Sequence, residues 1–128
     1  MLAFDLDDTL ANTDYSHVIG QDSMLGMLAN AEVEYQPEGD YVIITARGEN
    51  TAVHAATKKW VDDNLKGCQA IYYTTGSGET GMKNKLAVIN RHNLDGYVDK
   101  SIENLSIMRK LDPEIKLYTI EHHALIEY

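Results

Sequence analysis

With 128 residues, 44% of them hydrophobic, the chain has the length of one domain and enough apolar material to bury a core. Its 20 acidic against 11 basic residues leave a formal charge of −9, which repels nucleic acid in general and speaks against an extended nucleic-acid groove. No apolar run approaches the ~20 residues that cross a bilayer, Met1-Leu2-Ala3 lacks the basic and apolar start of a secretory signal, and the lone Cys68 excludes an internal disulfide. A cytoplasmic setting without membrane contact is expected, the host's cytoplasm if the protein is viral.

Residues 1–128 hold no repeat, low-complexity tract or linker and read as a single domain in which strands and helices alternate. Leu2 to Leu6 is an apolar run predicting a buried strand, followed by a polar loop and a helix near Gln21 to Ala31 with Met24, Leu25, Leu28 and Ala31 as its stripe. Tyr41 to Thr45 is apolar without alternation, as expected where both faces of a parallel strand are covered. A helix over about Asn50 to Leu65 carries Val53, Trp60, Val61 and Leu65 at helical spacing, and Trp60 reads as core. Ala70 to Thr74 predicts a third strand. The glycine-rich stretch from Thr75 to Gly81 then reads as a flexible loop leading into a helix over about Asn84 to His92. Tyr97 to Asp99 is a short strand, Ser101 can cap a helix ended by Asp112-Pro113, and Ile115 to Ile120 closes the sheet. Strands joined by helices of this length need crossover connections. The expected fold is a three-layer α/β/α sandwich around a mainly parallel five-stranded sheet.

In such sheets, sites form at the carboxyl ends of the strands, near the point where strand order reverses. Those ends carry Asp5 and Asp7, then Thr45 with Arg47, then Asp99, with Lys83 or Lys85 at a helix start. Asp5 and Asp7, two apart on a strand, share a face while Leu6 turns into the core. Crowded carboxylates resist joint ionisation unless a cation or a shared proton relieves them. A nucleophile beside a general acid, with cationic donors for phosphoryl oxygens and a divalent metal between, is the set that phosphate-ester transfer needs. The plainer alternative is a turn in which Asp8 and Thr9 cap the next segment.

In two motifs, Asp5-Leu6-Asp7-Asp8-Thr9 after an apolar strand and Ile43-Ile44-Thr45-Ala46-Arg47 at the end of another, the chain resembles the haloacid dehalogenase-like (HAD) phosphohydrolase superfamily. The resemblance runs through nearly the whole length and implies a HAD-like Rossmannoid fold and a Mg²⁺-dependent phosphatase. It makes Asp5 the nucleophile that forms an aspartyl-phosphate and Asp7 the acid and base. Thr45, with Ala46 and Arg47, would bind the substrate phosphate, and Asp5, Asp7 (through its main-chain carbonyl) and Asp99 would bind the metal. The third motif is a lysine. Lys85, one helix and a turn before Asp99, is preferred over Lys83 for both catalysis and phosphate binding. The fourth motif departs from the pattern, because Lys100 stands where relatives carry a second acid. That substitution bears on metal affinity and raises the alternative of a degenerate domain that binds a phosphorylated ligand or partner without efficient turnover.

Gly76-Ser77-Gly78-Glu79-Thr80-Gly81 satisfies a dinucleotide fingerprint, but it follows the third strand of a domain too small for a substrate half, so NAD binding is not expected. The five histidines show no metal-ligand spacing, though His122-His123 could take up adventitious metal. Arg47 could contact substrate or simply pair with Glu49 or another local acid. Tyr15 and Tyr35 could stack on a base or pack. With only one helix and its loops between Leu10 and Asp40, and no element expected between Thr75 and Met82, no substantial cap domain is expected. An open site suits a phosphorylated small molecule or a nucleic-acid end, covered by the short insert or by a second subunit of a homo-oligomer. A weaker likeness of Ile44 to Arg47 and Ala56 to Trp60 to deoxynucleotidase-like and polynucleotide-phosphatase-like members points to a nucleoside monophosphate or a terminal 3′-phosphate.

Overall fold

In the computed structural model, which describes residues 1–128, the apolar runs become strands and the amphipathic stretches become helices close to where the pattern sets them. Strands β1 (Leu2–Phe4), β4 (Tyr41–Thr45), β5 (Cys68–Tyr73), β6 (Gly96–Val98), β7 (Leu117–Glu121) and β8 (Ala124–Glu127) form one sheet in the order β5-β4-β1-β6-β7-β8. Every neighbouring pair is parallel except β7 and β8. The sheet therefore has six strands and is mixed, against the five mainly parallel ones expected. The extra strand escapes the sequence pattern because Ala124–Glu127 is half-exposed or exposed throughout, so no buried run marks it. Helices α1 (Gln21–Ala29), α2 (Thr51–Asn64), α3 (Gly78–Arg91) and α4 (Ile102–Leu111) complete the main elements.

Alternation along the strands builds two cores. Ala3, Val42, Ile44, Tyr97 and Leu117 face one side and meet Met82, Val88, Ile89, Leu105 and Met108 of α3 and α4. Phe4, Tyr41, Ile43 and Val98 face the other and meet Trp60, Val61 and Leu65 at α2 and its end. Trp60 is core as expected, its indole N–H donating to the Ala31 carbonyl at 2.8 Å. The layering is less regular than a three-layer sandwich. Helix α1 packs on α2 and fully buries only Leu28, and the segment carrying Ala31 and Tyr35 helps to cover the α2 face of the sheet.

The connection from β1 to β4 holds more than one helix. Strands β2 (Ala11–Asn12) and β3 (Glu32–Val33) pair antiparallel as a separate small sheet, and one 3-10 turn spans Tyr15–His17. The stretch after β5 is a larger correction. Helix α3 begins at Gly78, so most of the glycine-rich stretch is its first turn and not a loop. A Cβ on Gly81 would lie 2.8 Å from the Gly76 carbonyl oxygen, and Gly76 itself has φ +87°. These glycines serve close approach and a left-handed turn, a requirement that composition cannot distinguish from looseness.

Two of the four helices carry a side-chain N-cap, that of α4 as expected. Asn50 accepts from the N–H groups of Ala52 and Val53 at 2.9 and 3.1 Å, and the Ser101 hydroxyl accepts from Asn104 N–H at 3.2 Å. The β7–β8 turn is less well matched. His122 and His123 take φ of 49° and 62°, the left-handed pair that Asn-Gly fills without strain. The double replacement His122→Asn/His123→Gly is expected to stabilise the protein by about 1 kcal/mol, seen as a higher urea midpoint at unchanged slope.

Candidate active site

Strand order reverses at β1. The chain runs from β1 outward to β4 and β5, then returns to place β6 and β7 on the other side. Phe4 pairs in register with Val98, so Asp5 and Asp99 emerge side by side at the carboxyl ends of adjacent strands. Asp5 N–H donates to the Val98 carbonyl at 2.9 Å, which ties the first residue beyond β1 to β6. The strand itself stops at Phe4, short of the expected Leu6, because the backbone closes at once into a turn. The Leu6 carbonyl accepts from the N–H groups of Thr9, Leu10 and Ala11, and exposed Asp8 adopts φ 63°. Leu6 is fully buried, so the carboxylates on either side of it are turned outward into a cleft of about 530 Å³.

That cleft is lined by Asp5, Asp7, Ala46, Arg47 and Lys85 among the residues singled out from the sequence. Thr45 and Asp99 lie behind its surface, each almost fully buried. Lys85, not Lys83, reaches the first carboxylate. Its ammonium donates to Asp5 Oδ1 at 2.7 Å with the lysine side chain 3% exposed, while Lys83 lies in the solvent 3.7 Å from Glu79. Asp5 Oδ2 accepts from the Thr9 hydroxyl at 3.0 Å. Burial pushes the Asp5 carboxyl up to about 6; Lys85 opposes the rise and the nearby Asp99 adds to it.

Asp7 has the opposite environment. Burial alone would raise its pKa, but the hydrogen bonds and charge of Arg47, with the hydroxyls of Thr13 and Tyr15, hold it below the usual carboxylate value. Arg47 grips it with two donors, NH2 to Oδ1 at 2.8 Å and Nε to Oδ2 at 3.2 Å, and is anchored by NH1 to the Thr57 hydroxyl at 2.8 Å. Arg47 therefore pairs with an acid, but with Asp7, 40 residues away, and not with Glu49 or another local one. The phenol of Tyr15, pushed up to about 12 by burial and then by Asp7, donates to the same carboxylate at 3.2 Å.

Behind the cleft, Asp99 accepts from Ser101 N–H at 2.8 Å, from the Asn104 amide at 3.1 Å and from the Tyr97 hydroxyl at 2.8 Å. At the end of β4, the Thr45 hydroxyl is buried with no hydrogen-bond partner, beside Ala46 and Arg47 of the cleft wall. A buried orphan hydroxyl costs about 1–3 kcal/mol unless water or a ligand satisfies it; the Tyr41 hydroxyl, away from the cleft, is the other such group. Thr9, Thr13, Thr57, Tyr97 and Asn104 are polar partners to which the sequence reading gave no role in the site. Tyr97 had a legible signal, since it lies two residues before Asp99 on one strand and so faces the same way.

Lys100 does not enter the cleft. Its side chain is 41% exposed and turned to Glu34 at 3.5 Å, while its backbone N–H donates to the Thr9 hydroxyl at 3.2 Å. Lys100→Ala is therefore expected to leave ligand binding in the cleft, and any turnover there, within about twofold of the wild type, as for other exposed side chains.

No three Asp, Glu, His or Cys side chains converge into a cage. Asp5 and Asp99 are the neighbouring carboxylates that could hold a cation, each with part of its oxygen capacity already taken by hydrogen bonds; a cation such as Mg²⁺ is commonly bound through one or two carboxylates with waters retained.

Fold and cleft together define an α/β protein with acids and bases gathered at the carboxyl ends of a mostly parallel sheet. No protein-family model, curated protein or solved structure matches the chain.

Proposed function

We propose that this chain is a Mg²⁺-dependent phosphomonoesterase of the HAD type, acting through an aspartyl-phosphate on Asp5. The observation that carries the reading is the meeting of Asp5, Asp7, Arg47 and Lys85 in one cleft at the topological switch point, with the unpaired Thr45 hydroxyl buried behind its wall.

On this reading the Asp5 carboxylate attacks phosphorus while the ester P–O bond breaks, and Asp7 protonates the departing oxygen. Water then attacks the acyl phosphate as Asp7 takes its proton, releasing inorganic phosphate and restoring Asp5. Thr45, the Ala46 and Arg47 segment, and Lys85 hold the non-bridging oxygens. Asp5, Asp99 and the Asp7 main-chain carbonyl would hold Mg²⁺, which supplies charge neutralisation between the carboxylate and the phosphate dianion. Asp7 can exchange protons only when Arg47 lets go of it, so phosphate binding must draw the guanidinium away.

The cleft supports a nucleoside monophosphate or a terminal 3′-phosphate as substrate, because Tyr15, Met24, Leu28 and Val53 form an apolar wall beside the charged groups. A cytoplasmic phosphatase with nucleotidase-like specificity is the resulting expectation. No helix is long and apolar enough to cross a membrane.

The double grip of Arg47 on Asp7 favours a second reading, a degenerate HAD domain that binds a phosphorylated ligand without efficient turnover. One experiment separates the two. Phosphate release from p-nitrophenyl phosphate and a nucleotide panel is measured with and without Mg²⁺, beside a binding titration of the same nucleotides. Mg²⁺-dependent release supports the enzyme; binding with no release under any divalent metal supports the degenerate domain and ends the first reading.

A further inference from the structure

Between the cleft and Asp99 lies a side chain that the mechanism above does not use. Tyr97 is fully buried at the centre of β6, and its hydroxyl stands 2.8 Å from Lys85 Nζ and 2.8 Å from Asp99 Oδ2. The direction of both bonds follows from chemistry. An ammonium can only donate, so the phenol oxygen accepts from Lys85 and its single proton goes to Asp99. A continuous line results, from Asp5 Oδ1 through Lys85 and Tyr97 to Asp99.

We propose that Tyr97 is a positioning residue: its hydroxyl fixes the Lys85 ammonium and the Asp99 carboxylate relative to each other and to Asp5. The inference rests on the reading of Asp5, Lys85 and Asp99 as one catalytic set. Lys85 spends one proton on Asp5 and one on Tyr97, which leaves the third for an oxygen in the cleft it lines. Asp99 Oδ2 has both lone pairs filled by Tyr97 and Asn104, and Oδ1 accepts only Ser101 N–H, which leaves one lone pair of Asp99 for a cation. Position 100 supplies no second acid, and Lys100 turns away to Glu34. Orientation of Asp99 therefore falls to its hydrogen-bond donors, of which only Tyr97 also touches the lysine.

Tyr97→Phe tests this, since it removes the hydroxyl and keeps the ring in the core. Three quantities are compared with the wild type: Mg²⁺ affinity by calorimetry without substrate, kcat and KM for a hydrolysed monoester, and proton exchange of the Lys85 ammonium by nitrogen-15 NMR. Mg²⁺ affinity and kcat are expected to fall about 10- to 100-fold, the usual cost of losing a partner behind a metal ligand, with little change in KM. Exchange at Lys85 should quicken about tenfold, in keeping with the loss of one buried acceptor. Asn104→Ala, which removes a donor from Asp99 alone, should weaken Mg²⁺ binding and leave Lys85 exchange as in the wild type. Val61→Ala, a core change on α2 across the sheet from Tyr97, controls for stability and should leave all three quantities unchanged.

If Tyr97→Phe only lowers the melting temperature, as Val61→Ala does, with Mg²⁺ affinity and Lys85 exchange unmoved, the proposal is overturned. If the wild type hydrolyses no monoester, the phosphatase reading fails by itself. The exchange and calorimetric measurements then still decide the role of Tyr97.

Discussion

Asp5→Asn should abolish phosphate release while the far-UV circular dichroism stays that of the wild type. The expected loss is on the order of 10³-fold or more, because removing a covalent nucleophile removes the pathway and leaves only binding and electrostatic help. Asn keeps the shape of Asp, and its amide oxygen can still accept from Lys85 where Asp5 Oδ1 does at 2.7 Å. Its amide nitrogen can donate to the Thr9 hydroxyl that now donates to Oδ2. Fold and activity thus separate at this position. Full activity in Asp5→Asn would refute the aspartyl-phosphate mechanism, whereas the loss of folding would show that the carboxylate is needed for structure.

Lys85→Met should cost both activity and stability, and the stability cost should depend on pH. Removing one member of a buried pair leaves the other uncompensated, at about 3 kcal/mol or somewhat more. The sign follows from Asp5. Its folded pKa is raised to about 6 by burial, so the native state takes up a proton between pH 4 and 6 and loses stability as pH rises through that window. Lys85 is the group that limits this rise. Without it the carboxyl moves higher still, and the penalty at pH 8 grows. At pH 5 Asp5 is largely neutral in both proteins, and Met no longer buries a charge. Melting temperatures in EDTA should therefore show a gap at pH 8 that closes or reverses by pH 5. A gap independent of pH would mean that Lys85 stabilises the fold by packing and not through Asp5.

Much of this architecture was legible because it depends on local pattern. The apolar runs at 2–6, 41–45 and 97–99 mark strands whose polar ends carry the site, and Ser101 and Asp112-Pro113 bracket α4 as expected. Asp5 and Asp7 flank buried Leu6 and reach one cleft as the period of a strand predicts, but the strand ends at Phe4 and a turn places Asp7. Other features depend on distant partners and left no such trace. The glycine-rich stretch looks like a loop until the Gly76 carbonyl is seen against Gly81, where a Cβ would not fit. Strand β8 is too exposed to carry a pattern and exists because β7 offers it an edge.

The same division runs through the site. By itself the sequence determined which groups gather at the strand ends, because strand period and chain order decide which side chains leave the sheet at its carboxyl edge. It favoured Lys85 over Lys83 as a helix-start residue, but Lys85 sits inside α3, and only the packing of α3 on the sheet buries it and leaves Lys83 in solvent. Tertiary structure also decided the electrostatics. Asp5 and Asp7 are the same residue type two positions apart, yet burial beside Asp99 raises one while Arg47, 40 residues away, lowers the other. Charge interactions depend on distance and on access of water, and neither is encoded at short range along the chain.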